Sequence, residues 1–230
     1  ILILRIFRSY RRITLVILGA LFYSLWRAEF LLLILFSSYI DYVMAINISN
    51  TEVKSLKRIY AFFSIFTNIV ILTLFKYSGF IAETSNYITN LLNLNFNFNG
   101  LEWILPLGIS FYTFEAICYT IDVYKGKYKA ESSFISYLAF ILFFPKLIAG
   151  PILRADELIP QIKSEKKLNS STITDSLLKI ILGLLLKVVI ADNIAGMVDN
   201  GFNLPASDSS GIDNLTLGFL FGMQIYFDFS

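Results

Sequence analysis

The sequence predicts an all-α fold: a polytopic bundle of transmembrane helices that includes one re-entrant, broken helix. Three observations lead there. The 230 residues are 56% hydrophobic and only 16% charged, whereas a soluble domain carries about a quarter of its residues as charges. The apolar residues fall in runs approaching the roughly 20 that a helix needs to cross about 30 Å of hydrocarbon. The basic residues collect in a few connecting segments, the distribution expected of cytoplasmic loops. Transmembrane strands are much shorter than these runs, so a barrel is disfavoured.

The expected spans, in order, are residues 12–26, 29–48, 59–82, 101–121, 134–150, 175–199 and 214–230. The first and fifth are short. No internal repeat stands out, and residues 1–230 are expected to form part of a single domain. The chain begins "ILILRIFRSY" without Met and stops at "IYFDFS" inside an apolar run, so a piece of a longer domain is expected. Arg5, Arg8, Arg11 and Arg12 precede the first run, but Leu25-Trp26-Arg27 is a poor signal-peptidase site and further spans follow.

Orientation follows from charge. Four basic groups hold most of the 19 Lys and Arg: residues 5–12, 54–58, 125–129 and 154–167. All are expected to be cytoplasmic, which puts the N-terminal end inside. The loops 86–100 and 199–213 contain no basic residue and are expected outside. Basic groups therefore flank 134–150 on both sides, so that segment cannot cross once. It must dip in and return, or lie along the interface. Pro145 removes a helical hydrogen bond, and Gly150-Pro151 turns the chain. Broken backbone at membrane depth is tolerated where protein buries it or water wets it, so "FFPKLIAGPILR" (143–154) is expected to line a polar cavity open to the cytoplasm.

Several side chains carry possible chemistry. Glu115 and Asp122 are seven residues apart and share a helical face, with Gly108, Tyr112 and Tyr119 on or near it. Acids inside a membrane usually face a bundle interior or a wet cavity. For mid-span Glu115 the wall of a substrate chamber is the leading reading, while Asp122 suits an interfacial position as well. Lys187, in the middle of the sixth span, fits either a cavity cation near a phosphate or carboxylate, or an ion pair with an acid on a neighbouring helix. Lys146 lies near enough to the cytoplasm to snorkel. Arg154 follows the break and suits phosphate recognition at a cavity mouth, or simple interfacial anchoring.

Other classes are excluded or weak. A net charge of +2 gives no basic face for nucleic acid. The single Cys118 forbids an internal disulfide. No His occurs, so Cys/His metal clusters and Ser-His-Asp sets are absent, and no phosphate-cradling glycine loop is present. "SLLK" (176–179) matches a Ser-x-x-Lys pattern, but the pattern is short and oxyanion-hole elements are not recognisable.

Two blocks carry a resemblance: "LPLGISFYTFEAICYTIDVYKG" (105–126) and "FILFFPKLIAGPILRADELIPQI" (140–162). With "LFYSLWRAEFLLLILFSSYIDY" (21–42), "FKYSGF" (75–80) and the terminal "YFDFS" (226–230), they resemble the membrane-bound O-acyltransferases. The similarity is to the bacterial branch typified by the alginate O-acetylation protein, and it spans nearly the whole chain. It implies a multi-pass enzyme of the bacterial inner membrane. Such an enzyme takes an acyl group, acetyl by default, from a cytoplasmic thioester such as acetyl-CoA. It passes the group toward an extracytoplasmic polysaccharide, often through a secreted or periplasmic acetyltransferase partner, with no bound cofactor and no metal. The resemblance also implies that the family's catalytic histidine, a base suited to neutral pH, lies beyond the Tyr-Phe-Asp-Phe-Ser block. No catalytic residue is assigned, and the piece alone is expected to be inactive. Residues expected along the donor channel are Glu115, Asp122, Pro145, Lys146, Gly150, Pro151, Arg154, Lys187 and Asp228. The alternatives are the related D-alanyl transfer branch, a transporter or flippase for a lipid-linked glycan, whose broken helices and buried charges look alike, and a non-catalytic scaffold.

Overall fold

A computed structural model of the chain describes residues 10–92, 104–147, 152–164, 169–205 and 209–230. All regular structure among these residues is helical, and no strand occurs. The chain divides into two compact units, Ile1–Glu165 and Lys166–Ser230.

The first unit opens with α1 (Arg11–Arg27) and α2 (Glu29–Asn50). A continuous helical stretch follows: α3 (Lys54–Leu72), a π-helical turn (Thr73–Tyr77) and α4 (Ser78–Leu91). Then come α5 (Ile109–Tyr124), α6 (Phe134–Ile141), the single turn α7 (Phe144–Leu147) and α8 (Ala155–Lys163). Among the described residues, two helices are long and apolar enough to cross a membrane: Glu29–Asn50 and Lys54–Leu91.

The packing of α2 and α3 inverts the soluble pattern. Buried positions on α2 include Ser37, Ser38 and Asp41, while Leu32, Phe36 and Tyr39 face out. On α3, Ser64 and Asn68 are buried while Phe62, Phe63 and Phe66 are exposed. Water would drive the large side chains inward. An exterior of this kind suits a helix solvated by lipid, where polar side chains join helices internally.

Helix α5 is the central element, packed against both α2 and α3. Its buried positions, Ile109, Tyr112, Thr113, Glu115, Ala116, Tyr119, Thr120 and Val123, recur at helical spacing. Below it an aromatic core forms around Tyr119 and Tyr137, whose ring centroids are 4.6 Å apart. Of the expected span 101–121, residues 101–103 lie outside the described residues, and the helix begins at Ile109. Residues 104–106 are not helical, and Gly108 takes φ +68°, which fixes the helix start.

The expected segment 134–150 is two helices. The first break is at Leu142–Phe143, ahead of Pro145. Pro145 does not interrupt a running helix. It sits in the first turn of α7, where its missing N–H goes unmissed. Gly150-Pro151 lies outside the described residues. At eight residues, α6 is about 12 Å long, too short to cross a bilayer. Its residues Ser136 to Ile141 are all buried in protein.

The second unit contains α9 (Ser170–Leu185), a π-helical turn (Leu186–Ala191), α10 (Asp192–Phe202) and α11 (Gly211–Phe229). Ser210 starts α11 with a capping box reciprocated by Asp213.

Candidate functional site

Four elements converge on the broken segment. Helix α5 brings Glu115 to the interior by the same helical spacing that buries Tyr112 and Tyr119. Helix α7 presents Lys146 to it. Glu115 Oε2 accepts from Lys146 Nζ at 2.6 Å, and both side chains are 4% exposed. The ammonium also lies 3.9 Å from the centroid of the Phe140 ring on α6, a cation–π contact strengthened by the absence of water. The other oxygen, Oε1, accepts from the Leu153 backbone N–H at 3.3 Å. Glu115 thus grips the chain on both sides of residues 148–151.

Two glycines bring backbone against backbone at the same place. A Cβ on Gly108 would overlap the Leu147 carbonyl, and one on Gly19 would overlap the Leu142 carbonyl. Helices α1 and α5 can therefore close directly on the two ends of the 142–147 segment. The Tyr23 hydroxyl, on α1, donates to the Leu107 carbonyl at 3.0 Å and ties α1 to the start of α5.

The expected residues are distributed as follows. Lys146 does not snorkel; its charge is buried and paired with Glu115. Both oxygens of Glu115 are engaged, so this carboxylate acts as a clamp and not as a free base. Asp122 is partly exposed, and its carbonyl accepts the Lys127 and Tyr128 N–H groups at 2.9 and 3.3 Å. Arg154 is exposed at the start of α8. Cys118, exposed on α5, lies within electrostatic reach of Asp122, Arg154 and Glu115, which groups Arg154 with the acidic face of α5. Pro145 shapes α7. In the second unit Lys187 pairs with Asp192 at 2.8 Å and with Asp228 on α11 at 2.7 Å. This is the ion-pair alternative, with Asp228 as the partner on the neighbouring helix. In the "SLLK" stretch, Ser176 donates to the Thr172 carbonyl at 2.8 Å, so its hydroxyl is tied to its own helix.

Two clusters escape sequence reasoning. Near the start of α6, Glu131 is buried. It pairs with Lys163 at 2.6 Å, accepts from the Ser133 N–H at 3.1 Å, and its own N–H donates to Tyr119 Oη at 2.9 Å. Tyr128, beside it and partly buried, has its phenol pushed up to about 12 by burial, reinforced by the charges of Glu131 and Asp156. The second cluster joins Asp41, Ser64, Asn68 and Thr120 between α2, α3 and α5. An acid in the middle of the apolar run 29–48 was the signal available for it.

Comparison with known proteins gives a consistent set of relatives. The chain is 33% identical to the peptidoglycan O-acetyltransferase of Helicobacter pylori, over 95% of this chain and 45% of that protein. It is 33% identical to the probable alginate O-acetylase AlgI of Pseudomonas aeruginosa, over 96% of this chain and 42% of that protein. For the probable alginate O-acetylase AlgI of Azotobacter vinelandii the values are 32%, 96% and 44%. The chain spans a little under half the length of these relatives. No family model and no solved structure matches it.

Proposed function

This chain belongs to the membrane-bound O-acyltransferase family, and from that premise we propose that it builds the donor side of an enzyme that O-acetylates an extracytoplasmic polysaccharide. In this reading the helices form a multi-pass bundle in the bacterial inner membrane, with the N-terminal end cytoplasmic. Residues 134–154 dip in from the cytoplasmic leaflet and return to it. A cytoplasmic thioester such as acetyl-CoA enters at that mouth, near Arg154 and the acidic face of α5, and the acetyl group moves outward to the acceptor or to a secreted partner.

The observation that carries this reading is the grip of Glu115 on Lys146 and on the Leu153 N–H. A helix of eight residues followed by a break, buried in protein and clamped at both flanks, is how non-helical backbone survives at membrane depth. The two named acceptors of the relatives, peptidoglycan and alginate, set the polymers to examine first.

The test is genetic and chemical. Cells with the gene deleted are complemented with the wild-type gene, Glu115→Gln or Lys146→Met, and base-released acetate is measured on purified cell-surface polymer. Deletion is expected to remove acetate from one polymer, the wild type to restore it, and either variant to restore little. Unchanged acetylation of every polymer on deletion would refute the proposal.

A further inference from the structure

Asp41 lies inside α2, one of the two helices long and apolar enough to cross a membrane, and is 0% exposed. Among the described residues no Lys or Arg forms an ion pair with it. Lys146, the buried cation among the described residues of this unit, is taken by Glu115. An ionised carboxylate in such a place would carry a large desolvation penalty with no counter-charge to offset it.

The hydrogen bonds around Asp41 are one-sided. Oδ1 accepts from Ser64 Oγ at 2.5 Å and from Asn68 Nδ2 at 2.7 Å. Ser64 Oγ also meets Thr120 Oγ1 at 2.8 Å. Since the single Ser64 hydrogen goes to Asp41, Thr120 is the donor in that pair. Every neutral donor is thus directed, at first or second hand, to Oδ1, while Oδ2 has no partner. A carboxylate spreads its charge over both oxygens and recruits donors to both. A carboxylic acid has one accepting oxygen and one hydroxyl. On α6 the Tyr137 hydroxyl is also buried without a partner, and Asp41 is within its electrostatic reach.

We propose that Asp41 is an intramembrane proton-binding site, its carboxyl held as the neutral acid with the hydrogen on Oδ2, from which one bridging water can reach the equally unpartnered Tyr137 hydroxyl. Loss of that proton places a bare charge where α2, α3, α5 and α6 meet and loosens that junction. The other titratable groups around the Tyr137 ring are Tyr119 and the paired Glu115 on α5 and Tyr42 on α2. None of them supplies a positive charge.

The hydrophobic carbodiimide DCCD, which modifies protonated carboxyls in apolar surroundings, tests this on the full chain in lipid vesicles, with adducts mapped by mass spectrometry. Asp41 is expected to be modified at neutral pH while Glu115, equally buried but paired, is not. Modification is expected to fall about tenfold per pH unit once the acid ionises. Asp41→Asn, a neutral isostere, is expected to lose the adduct, keep the thermal midpoint of the protonated wild type, and lack the wild type's fall in midpoint as the acid ionises. Absence of an Asp41 adduct at any pH would overturn the proposal. So would protection by sodium ions at constant pH, which would make this a metal-cation site. If Asp41→Asn does not accumulate, the pH dependence of wild-type labelling decides alone.

Discussion

Glu115 and Lys146 should behave as one unit, with energies large enough to measure. At 2.6 Å, Coulomb's law with an effective dielectric of 20 gives an attraction of about 6 kcal/mol. Burial of both charges removes several kcal/mol per ion, so the net worth of the intact pair against an apolar pair is near zero. Breaking it is different. Lys146→Met leaves Glu115 with only the Leu153 N–H, and Glu115→Gln leaves Lys146 charged and buried over the Phe140 ring. Each single change is expected to destabilise by about 3–5 kcal/mol. The double variant Glu115→Gln/Lys146→Met removes both charges and is expected to lie within about 1–2 kcal/mol of the wild type, the remainder being imperfect packing. Equilibrium unfolding by SDS in mixed micelles, followed by tryptophan fluorescence, closes the cycle. A coupling of several kcal/mol is predicted. Single effects that simply add to within about 0.5 kcal/mol would show that the two side chains are independent, and the clamp would be refuted.

Gly108→Ala meets both a positive φ and the Leu147 carbonyl and is expected to cost at least about 1 kcal/mol by the same unfolding assay; Gly79→Ala, with open space around its position, is the control. Glu131→Ala strips the Ser133 N–H of its acceptor and Lys163 of its partner. It should cost about 1–3 kcal/mol and speed hydrogen exchange at Ser133. Tyr128, raised from 10.0 to about 12 by burial and two nearby carboxylates, holds its proton more tightly folded than unfolded. Its contribution is complete below pH 10 and is lost as pH rises toward 12, so Tyr128→Phe should flatten the wild-type alkaline loss in that window. Ser210→Ala removes half of the capping box and is expected to cost about 1 kcal/mol, seen as faster amide exchange at Asp213.

The helical segments were legible because hydrophobic run length is a local property. Residues 12–26 and 29–48 fall within α1 and α2, 175–199 within the continuous stretch from α9 through the π-helical turn to α10, and 214–229 within α11. The breaks were not, because they depend on other parts of the chain. Pro145 looked like the interruption, yet it begins a turn. At the interruption, the Leu142 carbonyl is packed against Gly19, more than a hundred residues away in sequence. Gly108 delays α5 because its backbone packs on Leu147. The candidate residues divide in the same way. Glu115 was legible as an acid in mid-span, but its partner was not, since Lys146 looked near enough to the surface to stay wet. Lys187 did find its acid on a neighbouring helix, Asp228. Asp41 was overlooked although, like Glu115, it is an acid inside an apolar run, because its partners Ser64, Asn68 and Thr120 are uncharged and come from distant parts of the chain.

The central claim is that Glu115 holds a segment which enters the membrane and leaves on the same side. Single cysteines at Lys127→Cys and Gln161→Cys, in a Cys118→Ser background, can be labelled with a membrane-impermeant maleimide added from one side at a time. The account predicts that both react from the cytoplasmic side and neither from outside. Labelling of the two from opposite sides would make residues 134–154 a crossing segment and contradict it.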